Sequence, residues 1–318
     1  MPIPVIQDNQ VLSAIQTNEE HTGRRHPDWL KVRLPGGENF VKIKSMMRTS
    51  GLHTVCEEAR CPNLAECWRD GTATFLILGD VCTRWCGFCN IKHGKPNGLD
   101  MEEPKRVAQR TKDMGLDYVV ITSVNRDDLE DGGAGVFAGC IEEIRRAVPC
   151  CKIELLIPDF DGNFEALRTV VEAKPEVLAH NIETSKRLHP FVRPKGRYER
   201  ALEVLKKIKE FDKNMTTKSN IMAGLGEREE EIMEIMRDLI SVDCDLLTIG
   251  QYLRPAKQYL PVKKYYHPSE FARFREIGMQ FGFKHVEAGP LVRSSYHAKR
   301  QENKAALSRE LLLNTKPH

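Results

Sequence analysis

Six of the ten cysteines in this 318-residue chain fall between Cys56 and Cys89, in two groups of three. The second group, Cys82-Thr-Arg-Trp-Cys86-Gly-Phe-Cys89, has the spacing C-x3-C-x2-C. Three thiolates in so short a loop can cap three irons of a 4Fe-4S cubane. The fourth iron then has no protein ligand and is open to an amino and a carboxylate group of a small molecule. The competing reading is a zinc knuckle with a distant fourth ligand, a part His93 is close enough to play. The first group, Cys56-Glu-Glu-Ala-Arg-Cys61-Pro-Asn-Leu-Ala-Glu-Cys67, reads C-x4-C-x5-C, which is not a zinc-ribbon spacing. Asn63–Trp68 has the pattern of a short helical turn that points Cys67 back toward Cys61. A second cluster is the functional reading of this group, and three separate thiols the plain one. Cys140, Cys150, Cys151 and Cys244 are scattered and read as small core residues.

Elements that could position these groups follow from the periodicity. Apolar, β-rich runs occur at Thr74–Leu78, Tyr118–Ser123, Lys152–Ile157, Val177–Ile182, Lys218–Met222 and Leu246–Gln251. They show little alternation, as expected of strands covered on both faces. Helical spacing links Phe137 to Val148, Ala201 to Phe211, Ile232 to Ile240 and Phe271 to Phe281. Strand–helix alternation predicts an α/β fold, a partial (β/α)6 barrel with its active groups at the C-terminal strand ends. The second cysteine group follows the first of these strands, where that rule places chemistry. Residues 1–50 read as an irregular extension, broken by prolines and Gly36-Gly37. Lys299 to His318 reads as a charged terminal helix or tail. The expected organisation is 1–70 as an N-terminal extension, 71–285 as the barrel and 286–318 as a C-terminal extension.

Composition narrows the class. The net charge is +3, which argues against a nucleic-acid binder. The basic stretch from His21 to Lys44 reads as a solvated surface or a docking patch for an acidic partner. No apolar run approaches the roughly 20 residues that cross a bilayer, so no membrane partner is expected. Residues 1–20 hold Asp8, Glu19 and Glu20 but no Lys or Arg, unlike a transit peptide. Crowded cysteines in a reducing compartment bind metal or do redox chemistry. A bacterial-type cytoplasmic location is the expectation.

The C-x3-C-x2-C spacing, with Phe88 before its last cysteine, resembles the signature of the radical S-adenosylmethionine superfamily. The paired triplets, together with Arg293-Ser294-Ser295-Tyr296, resemble the lipoyl synthase family from about Trp29 to about Ala298. Further matching stretches are Arg126–Gly133, Leu156–Phe160, His180–Thr184 and Ile249–Pro255. The resemblance implies two 4Fe-4S clusters. One is held by Cys82, Cys86 and Cys89. The other, auxiliary cluster is held by Cys56, Cys61, Cys67 and a serine, by position Ser295 with Ser294 as the alternative. A serine alkoxide is a labile ligand for iron beside thiolate, which suits a cluster that must come apart.

The implied reaction inserts sulfur at C6 and C8 of an octanoyl chain on a lysine of a lipoyl carrier domain or H protein. It consumes two S-adenosylmethionine molecules per product and sacrifices the auxiliary cluster as sulfur donor. A reducing electron donor and an iron–sulfur carrier for rebuilding the cluster are implied partners. Candidate S-adenosylmethionine contacts are Gly132 and Gly133, where backbone can approach closely, Asn181 and Glu183 at a strand end, and Arg254 as a carboxylate partner. Gly132-Gly133 departs from the superfamily's Gly-Gly-Glu and also fits a plain tight turn. Asp127, Asp128 and Asp131 read as ribose or amino partners or as a loop-capping network. The alternatives are a radical sulfur-inserting enzyme acting on a free small molecule and a non-catalytic zinc-binding protein.

Overall fold

The computed structural model describes residues 26–32, 36, 38–69 and 74–304. The helices are α1 (Glu38–Ser50), α2 (Val55–Glu58), α3 (Leu64–Arg69), α4 (Glu103–Asp113), α5 (Ala134–Ala147), α6 (Phe164–Glu172), α7 (His189–Val192), α8 (Tyr198–Phe211), α9 (Glu229–Ser241) and α10 (Pro268–Phe281). The strands are β1 (His53–Thr54), β2 (Thr74–Ile77), β3 (Val81–Cys82), β4 (Lys92–His93), β5 (Tyr118–Ser123), β6 (Lys152–Leu156), β7 (Val177–Ala179), β8 (Thr216–Ala223), β9 (Leu246–Gln251) and β10 (His285–Gly289). Eight of the strands form one sheet in the order β1-β2-β5-β6-β7-β8-β9-β10, with β3 and β4 paired apart. All neighbours in the large sheet are parallel except β1 on β2.

From β2 onward each strand lies beside the one before it in sequence. That winding keeps the crossover helices on one side, as in a barrel, and the order never reverses as it would in a doubly wound sheet. The central strands of the large sheet are largely buried on both faces; β2 is buried along its whole length, and β8 is buried although Thr216 to Asn220 are polar. The six expected strands are all present. The sheet also continues through β10, past residue 285, into what the sequence suggested was the C-terminal extension.

The irregular segment expected over residues 1–50 is in part a helix. Pro35 and the two glycines stop short of α1, and Phe40, Ile43 and Met47 recur at helical spacing and pack into the core. Within the basic stretch, Lys31 pairs with Asp28 at 2.7 Å and Lys44 lies over the Phe40 ring. Arg24, Arg25, Arg33 and the Lys42 side chain lie outside the described residues. Of the scattered cysteines, Cys140, Cys151 and Cys244 are buried as expected, but Cys150 is exposed, in the turn before β6. His93 is exposed on β4.

The lumen has a floor at the N-terminal strand ends. Lys218 Nζ donates to Glu154 at 2.8 Å, and Tyr118 OH donates to the other carboxylate oxygen at 2.7 Å. Each member of the Lys218–Glu154 pair is 1% exposed. The chain after β10 seals this end. Residues 298–304 are helical, and Ala298 packs on Tyr118 and Val120. Lys152 pairs with Glu302 at 2.6 Å, and Lys299 pairs with Asp117. The rest of the expected tail, 305–318, lies outside the described residues.

Candidate active site

At the opposite end of the strands lies a cavity of about 440 Å3. Cys56, Cys61, Cys82, Cys86, Cys89, Ser294 and Ser295 all line it, as do Asn181, Glu183 and Arg254. Cys67 is on α3 just behind this wall, beside Tyr296.

The loop carrying the second cysteine group is held from three sides. Thr83 N donates to Asn125 O at 3.0 Å, Gly87 N to Val192 O at 2.9 Å and Leu260 N to Gly87 O at 2.9 Å. A Cβ on Gly87 would lie 2.8 Å from Leu260, so only glycine leaves room for that clamp. The Cys82 sulfur accepts from Arg84 N at 3.4 Å, Asn125 N at 3.3 Å and Asn125 Nδ2 at 3.8 Å. Such N–H···S contacts stabilise a thiolate ligand and tune a cluster's potential. Burial pushes the Cys86 thiol up to about 11 and the Cys89 thiol up to about 12. Arg193 opposes the shift at Cys86.

The first group meets the C-terminal segment through long-range contacts. Asn63 Nδ2 donates to Leu291 O at 2.7 Å, Thr74 Oγ1 to Ser295 Oγ at 3.0 Å and Tyr296 OH to Glu66 at 3.1 Å. The close approach of this segment to β9 depends on Gly250, where a Cβ would overlap the Val292 carbonyl oxygen. Burial pushes Cys56 up to about 12, with the neighbouring Cys61 adding to it. Burial also raises Cys61, opposed by Arg293.

These donors fit iron–sulfur groups. Buried thiols with raised pKa values become thiolates only when a strong Lewis acid displaces the proton. Among the described residues, no three Cys, His, Asp or Glu side chains stand close enough to hold a single metal ion. The fit therefore rests on donor chemistry and a shared chamber. A polar ligand fits as well. Ser123 Oγ, Asn125 Oδ1 and Asn181 Oδ1 are buried in the lining without a hydrogen-bond partner.

The other expected contacts divide. Glu183 is buried with a left-handed backbone, φ 70°, and accepts from Asn181 Nδ2 at 3.0 Å and Asn220 Nδ2 at 3.3 Å. Burial raises its pKa, and Arg193 is the largest opposing influence. Arg254 is exposed and spends its guanidinium on Tyr259 O and Lys257 O, bracing its own loop. Gly132 and Gly133 lie outside the cavity lining. Gly133, φ 90°, is the N-cap of α5, and a Cβ there would overlap Leu78. Glycine at this turn therefore also has a packing reason, beside the expected cofactor contact. Asp131 accepts from Gly133 N and Gly135 N at 2.8 Å, while Asp128 pairs with Arg126 and Asp127 with Arg84. Of the acidic group, Asp131 caps the start of α5 and the other two are held by arginines.

Sequence reasoning missed Arg193, Arg293 and Arg84. Arg193 NH1 donates to Asn181 O at 2.7 Å and lines the cavity near Cys86, Glu183 and His180. Arg84 is buried between Asp127 and Asp159, at 2.7 and 2.8 Å. Arg84 sits inside the cysteine loop and Arg293 opens the Arg293-Ser294-Ser295-Tyr296 stretch, but neither was given a role; Arg193 lies in an unpatterned segment.

Comparison with known proteins first gives the class. A family model described as the radical SAM superfamily matches residues 76–239, which span the cysteine loop and the strands through α9. SuiB of Streptococcus suis bound to S-adenosylmethionine aligns with TM-score 0.52 at 15% identity, over 77% of this chain and 54% of that one. Methylornithine synthase PylB aligns with TM-score 0.50 at 15% identity, over 75% and 80%. At that identity these two structures bear on the fold alone. Membership in this superfamily implies a 4Fe-4S cluster and S-adenosylmethionine.

The particular family comes from closer matches. A model of the N-terminal domain of lipoyl synthase of the radical SAM family matches residues 7–61. Lipoyl synthase of Rubrobacter xylanophilus is 54% identical over 96% of this chain and 95% of its own length. Lipoyl synthase of Bacillus subtilis is 53% identical over 92% and 98%. The chain belongs to the lipoyl synthase family.

Proposed function

We propose that the chain inserts two sulfur atoms, at C6 and C8, into an octanoyl group carried on a protein lysine. One observation supports this most: five of the six paired-group cysteines and Ser294-Ser295 share one cavity at the C-terminal strand ends. Cys82, Cys86 and Cys89 would hold the radical-generating cluster. Cys56, Cys61, Cys67 and Ser295 would hold the auxiliary cluster that donates sulfur. When bound, these groups and two S-adenosylmethionine molecules supply the hydrogen abstraction and the replacing sulfur.

The protein's part is positioning. Unactivated C–H bonds offer no acid or leaving group, so geometry decides which carbon reacts. Arg193, beside Cys86 and Glu183, is better placed than Arg254 to neutralise a ligand carboxylate. Asn181 and Glu183 present polar atoms to the same chamber. Leu76, Leu156 and Ile157 give the acyl chain an apolar wall and keep water off a reactive centre. Thr74 orients the Ser295 hydroxyl, and Arg293 offsets negative charge at Cys61. An octanoylated lipoyl carrier domain or H protein, an electron donor and an iron–sulfur carrier are the implied partners. Crowded free thiols suit the cytoplasm.

Single-turnover mass spectrometry with an octanoyl-lysine peptide, S-adenosylmethionine and a reductant tests the reaction. Anaerobic protein should contain about eight irons. Cys61→Ala should cleave S-adenosylmethionine yet form no dithiolane, and Cys86→Ala should lose cleavage altogether. Lipoyl product from Cys61→Ala, or turnover of free octanoate alone, would refute the assignment.

A further inference from the structure

The cavity wall is unevenly charged. Arg60, Arg84, Arg193, Arg254 and Arg293 line it against a single carboxylate, Glu183. The whole chain carries only +3, so this excess is local. Four of the five arginines have evident work inside the site or in its loops. Arg84 is paired with Asp127 and Asp159, Arg193 binds Asn181 O, Arg293 lies beside Cys61 and Arg254 braces its own loop.

Arg60 is different. It is exposed at the cavity's edge and forms no ion pair among the described residues. Its backbone is left-handed, φ 50°, a conformation that glycine or asparagine would adopt more cheaply. An exposed arginine held at such a position suggests use of its charge rather than of its fold preference.

Two exposed lysines adjoin the wall without lining it: Lys195 stands two residues from Arg193, and the Lys257 carbonyl accepts from Arg254. Lys195 Nζ reaches Thr83 O, in the cysteine loop, at 3.4 Å. Lys257 lies at the bend of the loop whose Leu260 N bonds Gly87 O. Neither forms an ion pair among the described residues. Of the nearby carboxylates, Asp127 pairs with Arg84, Asp161 with Arg200, Asp80 with Lys92 and Glu58 with His53, which leaves Glu57, three residues before Arg60, as the one carboxylate of α2 outside an ion pair among the described residues. Uncompensated charge of one sign around a concave mouth raises encounter rates with the opposite sign.

We infer that Arg60, Lys195 and Lys257 form a cationic rim that docks an acidic surface surrounding the octanoylated lysine of the carrier protein. This rests on the proposed reaction and adds the chemistry of the partner's surface. The rim guides the approach, and the apolar wall beneath receives the acyl chain. Rim charges act mainly on association rate and salt dependence, less on dissociation.

The test is stopped-flow association of the cluster-loaded chain with an octanoylated carrier domain, at low and high ionic strength. Activity on a short neutral octanoyl-lysine peptide is measured alongside. Lys195→Glu/Lys257→Glu should associate about tenfold more slowly at low salt, converge with the parent at high salt and keep parental turnover of the peptide. Adding Arg60→Gln should deepen the loss. If that variant disturbs cluster loading, as iron analysis would reveal, the lysine pair alone decides. Parental association rates in the lysine variant, or equal slowing with a carrier whose acidic surface is neutralised, would overturn the rim. Failure of the parent on both carrier and peptide would instead sink the proposed reaction.

Discussion

At the scale of single residues, the cysteines were legible because their spacing is local and their chemistry narrow. The arginines were not. Arg193 gains its place only when the segment after α7 folds back over the cysteine loop, and Arg293 only when the C-terminal segment reaches Cys61. Arg254 could be read as a charge after a strand, but its contacts with its own loop carbonyls could not, since they depend on how that loop folds back.

The Lys218–Glu154 pair gives a residue-scale prediction. Lys218→Met strands a buried carboxylate and should cost about 3–5 kcal/mol, read by chemical denaturation. Adding Glu154→Leu should recover much of that. A second prediction concerns acid. Burial pushes His180 and His189 down to about 4, so both are neutral in the folded state near pH 6. The unfolded chain, with histidines near 6.5, binds more protons below that value. Stability should therefore fall as pH drops from about 6.5 toward 4, and the loss should begin above the range where carboxylates titrate. A denaturation midpoint unchanged between pH 7 and pH 5 would contradict this.

At the scale of elements, β-rich runs and helical periodicity were readable wherever the core imposed them. The helix α1 went unread because the broken segment before it coloured the whole extension. The strand β10 went unread because its five residues end in Glu-Ala-Gly, a weak apolar run. Its place is fixed by pairing with β9, a long-range matter. Gly250 is the element-scale test. Gly250→Ala must push the Val292 backbone off β9, costing about 1–3 kcal/mol. Because Ser295 follows three residues after Val292, lipoyl product should fall more steeply than S-adenosylmethionine cleavage. Equal losses in the two assays would show that the glycine merely stabilises the sheet.

At the scale of the whole molecule, the sheet is a scaffold whose two ends serve different purposes. One end is a chamber, and the other is plugged by residues 298–304. A chain ended at residue 290 would uncover Tyr118 and Val120 and lose the Lys152–Glu302 and Lys299–Asp117 pairs. That should cost about 2 kcal/mol, a fall of roughly 5 °C in Tm by calorimetry. The same truncation should abolish sulfur insertion.

The contacts of Asn63 with Leu291 and of Thr74 with Ser295 span more than two hundred residues of sequence. During synthesis, then, Cys56, Cys61 and Cys67 emerge from the ribosome long before Ser294 and Ser295 exist. A nascent chain can finish most of its sheet while the corner that joins the first cysteine group to Ser294 and Ser295 is still unassembled. Closure of this corner therefore waits for the segment around Leu291 and Ser295, and a chain interrupted before it would leave the early cysteines without those contacts.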